Sequence, residues 1–198
     1  MRFLTILVII LLFLITSCAD EKPLPVIFDL VDGVVTTELF KEIPLENHMK
    51  DGVTEIFMMS TGEEDVNGEK ISVFGRKRAS LLGGYIMGYD GEVFLASTDP
   101  INTYLITPAS SLSKSSVSNF NAGASASAVA DEIKANYMGK RIVLVGGSDF
   151  LVDVANTVAG TKVLKSWPSE GLRAVVHVSV GGTEPTATPY GFVTDREN

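Results

Sequence analysis

This chain is short of the residue types that most often carry chemistry in proteins. Its 198 residues include one cysteine and two histidines. A single cysteine excludes an internal disulfide framework and any metal site built from several thiolates, and we expect neither a metal nor a cofactor. No lysine or arginine occurs from residue 79 to residue 113, so this long stretch supplies no cation for an anionic ligand.

Positive charge is also scarce relative to negative charge. The chain has 16 basic and 24 acidic residues, a net charge of −8. Because Arg2 is the one charged residue before position 18, the remainder has 15 basic and 24 acidic residues and a net charge of −9. An acidic surface disfavours nucleic acid, anionic lipid and phosphorylated substrates as ligands, and we expect no nucleic-acid partner. With 45% apolar and 20% charged residues, the composition is typical of one globular domain.

The N-terminus has the pattern of a secretory signal. One basic residue is followed by an apolar run over residues 3–15 and then by two small residues, Thr16 and Ser17. This run is shorter than the roughly 20 apolar residues that a transmembrane helix needs. An uncleaved anchor is therefore the less favoured alternative to a cleaved signal peptide.

The four residues that end at Cys18, Ile-Thr-Ser-Cys, resemble the lipobox of bacterial lipoproteins, whose cysteine is acylated and becomes the first mature residue. The resemblance implies a signal peptide at residues 1–17 and a lipidated Cys18 with a tether at residues 18–24. Several acyl chains would hold the protein stably at a membrane. We expect a lipid-anchored protein of the bacterial envelope, at the outer membrane or cell surface rather than the inner membrane.

Alternating strand and helix patterns predict an α/β fold. Residues 26–40 contain two β-rich runs joined by Asp-Gly, which predicts a hairpin. Further strands are expected at residues 55–59, 91–97, 142–145 and 174–180. Helices are expected at residues 72–87, 127–138 and 149–159, with loops at residues 42–53 and 110–127 and an irregular tail at residues 183–198. This order predicts a three-layer sandwich with a largely parallel central sheet at residues 52–198, preceded by an N-terminal hairpin extension at residues 25–51.

The segment Gly-Gly-Ser-Asp at residues 146–149 lies between a predicted strand and a predicted helix, where α/β proteins often bind ligands. It lacks the third glycine of a dinucleotide-binding loop, the lysine of a P-loop and the second glycine of a nucleophile elbow. Ser148 would also need a histidine base to act as a nucleophile, and His177 lies mid-strand. Capping of the helix by Ser148 or Asp149 is therefore the favoured interpretation.

From residue 55 onward the chain resembles the histidine phosphatase (phosphoglycerate mutase-like) superfamily. Residues 55–63, Glu-Ile-Phe-Met-Met-Ser-Thr-Gly-Glu, are similar to that family's first strand and its Arg-His-Gly motif. Residues 71–79, Ile-Ser-Val-Phe-Gly-Arg-Lys-Arg-Ala, are similar to its L-T-x-x-G-R-x-Q-A helix start. Residues 92–97 and 141–160 resemble the segments that carry its second arginine and second histidine. The resemblance covers about residues 54–180 and implies the family's fold.

The resemblance also implies that the catalytic residues have been replaced. Family members transfer a phosphoryl group to one histidine, while two arginines and a second histidine hold the phosphate. Here Ser60 stands at the first arginine, Thr61 at the nucleophile and Gly147 at the second histidine, and the second arginine would fall near residues 101–103. We expect no catalytic residue. The vestigial pocket positions are Ser60, Thr61, Gly62, Glu63, Gly147 and Ser148.

Three charged or titratable segments are given structural rather than functional interpretations. His177, in an apolar strand, is predicted to be packed or hydrogen-bonded, and His48, in a polar loop, is predicted to have no special role. The basic residues at 76–78 are predicted to form a solvated helix face.

Three functions remain open on the sequence alone. The favoured one is a non-catalytic histidine phosphatase-like envelope lipoprotein that acts by binding or scaffolding, and thus is not an enzyme. The first alternative is a weak or altered hydrolase that uses Ser148 and Asp149. The second is a surface recognition module for a glycan or protein, built on the hairpin and the Ser-rich loop. The expected partners are the membrane, through Cys18, and an unidentified protein or glycan.

Overall fold

The computed structural model describes residues 23–62 and 71–192 of the chain. Its strands are β1 (Val26–Val31), β2 (Val34–Thr37), β3 (Glu42–Pro44), β4 (Thr54–Ser60), β5 (Val93–Ser97), β6 (Val117–Phe120), β7 (Arg141–Gly146), β8 (Ala174–Val180) and β9 (Thr186–Phe192). Its helices are α1 (Val73–Tyr89), α2 (Pro100–Leu112), α3 (Ala126–Asn136) and α4 (Ser148–Ala159). Among these described segments, no helix is both long enough and apolar enough to cross a membrane. The predicted signal peptide and Cys18 lie outside the described residues.

Helices cover both faces of one central sheet, and each face has its own apolar core. Successive side chains of a strand point to opposite faces of the sheet. Because both faces are covered, every residue of β4 is buried. Phe57 and Met59 face the core beneath α1 and α2, whereas Ile56 and Met58 face the core beneath α3 and α4. The predicted α/β sandwich is confirmed.

The sheet is mixed, with strand order β3-β2-β1-β9-β8-β4-β7-β5-β6. Strands β4, β7, β5 and β6 pair in parallel, as helical crossovers require. Strand β8 is antiparallel to both β4 and β9, and β1, β2 and β3 are antiparallel neighbours. The predicted parallel pairing therefore describes one half of the sheet, and the other half is largely antiparallel.

Four elements form where the sequence predicted irregular structure or gave no prediction. The predicted tail contains β9, the loop at residues 110–127 contains β6 and the end of α2, and the loop at residues 42–53 contains β3. β9 includes Pro189 and Gly191, and β6 includes Ser118 and Asn119, residue types that are depleted in strands. Pairing with a neighbouring strand outweighs these weak local preferences.

The N-terminal hairpin is joined to the same sheet. Asp32 and Gly33 have positive φ angles of 48° and 72°, as an Asp-Gly hairpin turn requires. Val26 then pairs with Gly191 of β9. A Cβ atom at Gly88 of α1 would overlap the carbonyl group of Leu30, so a glycine at this position allows the hairpin to lie directly on the helix.

Candidate functional site

The carboxyl ends of β4 and β7 bring together the residues predicted to line the vestigial pocket. Ser60 pairs with Gly146, and the Thr61 N–H group donates to the Gly146 carbonyl at 2.8 Å. Gly147 is the N-cap of α4, and Ser148 is the first residue of that helix. Ser60 is buried, Thr61 and Ser148 are half-buried and Gly147 is exposed. Gly62 follows on the same edge, whereas Glu63 lies outside the described residues.

A buried cation reaches this edge from α1. The guanidinium group of Arg78 donates to the Thr61 carbonyl at 3.1 Å, to the Ser60 carbonyl at 3.0 Å and to Ser60 Oγ at 3.2 Å. It also lies 5.6 Å from the ring centroid of Phe192, within the range of a cation–π contact. These three hydrogen bonds from Nη1 and Nη2 therefore supply donors to the Ser60 and Thr61 carbonyls and to the Ser60 hydroxyl.

The prediction that residues 76–78 form a solvated face is wrong for Arg78, which is 0% exposed. Residues 78 and 82 share one face of a helix because they are four positions apart, and Leu82 is a core residue. Arg76 and Lys77 do lie on the exposed side. In the motif that α1 resembles, position 78 corresponds to glutamine, so this arginine is not one of the family's two phosphate-binding arginines.

The resemblance would put the second arginine near residues 101–103, which are Ile101, Asn102 and Thr103 at the start of α2. Ile101 is the second residue of α2, and its N–H group donates to the capping carboxylate of Asp99 at 2.8 Å. A Cβ atom at Gly62 would lie 2.9 Å from Ile101 Cγ2 and 3.6 Å from Ile71 Cδ1. The two isoleucines therefore pack closely against Gly62, and the edge next to Thr61 is covered by apolar atoms.

The turn at residues 146–149 has no histidine beside it that could serve as a base for Ser148. Both histidines of the chain contact Glu55 instead. The helix cap predicted for Ser148 or Asp149 is also wrong: the N-cap is Gly147, which makes no side-chain cap, and Asp149 lies in the first turn. A carboxylate there interacts favourably with the helix dipole. Within residues 23–62 and 71–192, no group of three or more His, Cys, Asp or Glu side chains is arranged so that it could hold a metal ion.

Several solved structures are similar to this chain in fold. Bacillus stearothermophilus YhfR is 13% identical, with a TM-score of 0.55 over 71% of this chain and 98% of that one. "Mycobacterial hydrolase 1" is 12% identical, with a TM-score of 0.53 over 71% and 98%. The native mycobacterial glucosyl-3-phosphoglycerate phosphatase is 12% identical, with a TM-score of 0.51 over 70% and 97%. These proteins are histidine phosphatase superfamily members. The chain has the histidine phosphatase-like fold.

The fold predicted from the motifs is thus confirmed. No protein family matches the chain by its sequence model, and no curated protein matches it by sequence. At 12–13% identity, the likeness to the histidine phosphatases establishes the arrangement of the helices and strands. It does not establish the activity, which depends on the residues of this chain.

The two histidines meet at one buried carboxylate within this histidine phosphatase-like fold. Glu55, in β4, has Oε2 at 2.9 Å from His48 Nδ1 and at 3.0 Å from His177 Nε2, and Oε1 accepts from the Met49 N–H group at 2.9 Å. Glu55 is 1% exposed. The prediction for His177 is confirmed. The prediction for His48 is wrong, because the loop at residues 45–50 folds back onto β4.

This buried His–Glu–His cluster (His48, Glu55 and His177) keeps its carboxylate ionised. Burial raises the pKa of Glu55, but hydrogen bonds from His177, His48 and the Met49 N–H group together outweigh burial and lower that pKa from 4.5 to about 2. The Tyr89 ring contacts both imidazoles, with its centroid 5.9 Å from that of His48 and 6.0 Å from that of His177. Burial and the charge of Glu55 raise the pKa of the Tyr89 phenol.

Proposed function

We propose that this chain is a non-catalytic protein of the histidine phosphatase-like fold, anchored by lipid at the bacterial envelope, that acts by binding or scaffolding a protein or glycan. The observation that carries the proposal is the end of β4. By the resemblance of residues 55–63 to the family motif, Ser60 corresponds to an arginine and Thr61 to the nucleophilic histidine. The Arg78 guanidinium at the same edge donates to the Ser60 and Thr61 carbonyls.

The chemistry of phosphoryl transfer supports a binding role over turnover. A phosphoryl pocket must offset about two negative charges with fixed donors and cations. The described side chains at this edge are the hydroxyls of Ser60, Thr61 and Ser148, the aliphatic side chain of Ile101 and one cation, Arg78. The Arg78 guanidinium is buried and donates to the Ser60 and Thr61 carbonyls. A threonine hydroxyl is a weak nucleophile unless a base lies beside it, and both histidines of the chain contact Glu55.

The lipid anchor rests on the sequence that ends at Cys18. A short basic start, an apolar run and small residues before the cysteine fit a cleaved signal, and acylation would provide stable membrane attachment. Incorporation of a labelled fatty acid into the wild-type chain, and its loss in Cys18→Ser, would support this part of the proposal. Wild-type chain without label would contradict it.

The test of the non-catalytic part is a phosphatase assay on the full chain in detergent. We expect no hydrolysis of p-nitrophenyl phosphate or of a panel of phosphomonoesters above that of heat-unfolded protein. The mycobacterial phosphatase has also been solved with VO3, so vanadate is a suitable probe, and we expect it to leave the melting temperature of this chain unchanged. Hydrolysis that disappears in Thr61→Val would refute the proposal.

A hydrolase that uses Ser148 and Asp149 makes a different prediction. A fluorophosphonate should then label Ser148 in the folded chain, and Ser148→Ala should abolish the labelling. We expect no adduct, because the imidazoles that could remove the hydroxyl proton are buried against Glu55. An adduct on Ser148 would contradict the proposed non-catalytic role and support the hydrolase.

A further inference from the structure

Three large apolar side chains are exposed together at one end of the N-terminal hairpin. Leu39 and Phe40, in the turn after β2, are 89% and 78% exposed, and Phe28 in β1 is 41% exposed. The rings of Phe28 and Phe40 lie 5.8 Å apart. Single exposed hydrophobic residues are ordinary, but adjoining ones mark interaction surfaces. We call Phe28, Leu39 and Phe40 the apolar corner.

The backbone holds these side chains outward at a cost. The register of β1 against β2 shifts between Ile27 and Asp29, and such a bulge turns the extra residue out of the regular alternation. Phe40 has a φ angle of 55°, in a region that a bulky side chain rarely adopts. The Phe40 N–H group donates to the Thr37 carbonyl at 2.8 Å, which fixes the turn. Strain of this kind persists mainly where a conformation is used.

The apolar corner lies where the chain arrives from its proposed anchor. The Glu38 N–H group donates to the carbonyl of Val26, the first residue of β1, at 3.1 Å. Four residues separate Cys18 from Pro23, where the described structure begins, so five residue-to-residue steps join the two. At about 3.5 Å per extended residue, they span less than about 20 Å. A lipid chain on Cys18 would therefore hold the corner close to the bilayer surface.

We propose that the apolar corner lies in the interfacial layer of the same bilayer that holds the acylated Cys18, which rests on the anchor of the proposed function. Aromatic and leucine side chains favour the boundary between headgroups and acyl chains. Attachment at Cys18 makes this contact intramolecular, so a contact too weak to recruit free protein becomes populated at the high effective concentration.

The charged residues around the apolar corner favour lipids with one kind of headgroup charge. Among the residues from position 23 to position 44, Asp29, Glu38 and Glu42 are exposed acidic residues beside the corner, against one exposed cation, Lys41. This local excess of negative charge disfavours anionic headgroups, so the corner fits a zwitterionic surface such as phosphatidylethanolamine. The contact would hold the hairpin edge of the sheet against the membrane.

The test uses the full lipidated chain in vesicles of phosphatidylethanolamine and phosphatidylcholine. Cys18 is the only native cysteine and its thiol would be acylated, so Leu39→Cys supplies one free thiol for an environment-sensitive fluorophore. We expect its emission to shift to shorter wavelength on reconstitution and to be quenched by lipids spin-labelled near the headgroup. The matched control is Met138→Cys, at an exposed apolar residue that follows α3. Helix α3 packs on the core of the opposite face from the one that contains the hairpin residues Ile27 and Leu30, so the label at 138 should neither shift nor be quenched.

Each outcome decides the proposal. If the protein floats with the vesicles but the labels at 39 and 138 behave alike, the corner does not contact lipid and the anchor stands. If the protein does not float, the anchor and the contact both fall. If the label at 39 shifts without vesicles as protein concentration rises, a second copy of the chain covers the corner instead. Phe40→Ser should weaken the shift while flotation is retained; an unchanged shift would contradict the proposal.

Discussion

The two ends of β4 differ in the sign of the charge that is buried there and in the residues that surround it. Near its start, Glu55 is a buried anion that two imidazoles and an N–H group surround. At its end, Ser60 is a neutral residue whose carbonyl and hydroxyl accept hydrogen bonds from the buried cation Arg78. The resembling family places histidine and arginine at the second end, where they face a phosphate. In this chain the two histidines lie at the first end. The charged groups at both ends form hydrogen bonds within the protein.

We expect the largest change in the free energy of unfolding when Arg78, the cation at the second end of β4, is replaced. Arg78→Met leaves the Ser60 and Thr61 carbonyls and Ser60 Oγ without these donors, and we expect it to lower the free energy of unfolding by about 4 kcal/mol. Arg76→Met, two residues earlier on the exposed side of the same helix, should cost less than about 1 kcal/mol. Urea denaturation measures both, and equal effects would show that Arg78 is not structural.

The next effect concerns the first end of the strand. Because the folded-state pKa of Glu55 is about 2, below its ordinary 4.5, ionisation stabilises the fold above pH 4.5, and this contribution is lost as the pH falls towards 2. The shift corresponds to about 3 kcal/mol. Denaturation between pH 7 and pH 2.5 should reveal the decline.

Glu55→Gln sharpens that result. The amide cannot be ionised, so the variant should be less stable at pH 7 by about 3 kcal/mol and should lose this part of the pH dependence. Glu92→Gln is the matched control, because Glu92 is about one-third exposed and its ion pairs measure 3.5 and 3.8 Å. An unchanged pH profile in Glu55→Gln would place the acid-sensitive group elsewhere.

We expect the smallest changes in stability when two glycines of the predicted pocket, Gly62 and Gly147, are replaced. Gly62→Ala places a Cβ atom 2.9 Å from Ile101 Cγ2, which should cost about 1 kcal/mol. Nothing lies within 4 Å of a Cβ atom at Gly147, and this residue is an N-cap, so Gly147→Ser should be neutral or stabilise by a few tenths of a kcal/mol. Thermal melts distinguish the two. Equal losses would mean that Ile101 does not close the pocket.

Local signals in the sequence predicted much of the framework correctly. The helix predicted at residues 72–87 forms as α1, and the hydroxyl of Ser72 caps it by accepting from the Gly75 N–H group at 3.0 Å. The Asp-Gly pair at residues 32–33 forms its hairpin turn. These features depend on residues a few positions apart, whose spacing and backbone preferences are visible in the chain itself.

Features that depend on distant residues were missed. Strand β9 forms because β8 offers it a row of hydrogen-bonding partners, despite Pro189 and Gly191. The helix period could have indicated that Arg78 shares the face of Leu82, but the basic run at residues 76–78 favoured the solvated interpretation.

The sequence by itself determined the α/β fold, the likeness to histidine phosphatases and the scarcity of histidine in the chain. Only the tertiary structure decided where the remaining charges go. His48 and His177 are 129 positions apart, yet both bind Glu55, and Arg78 lies 17 and 18 positions from the carbonyls that it holds. The reason is physical: a buried charge is stable only where several partners converge on it, and that convergence is a property of the folded chain.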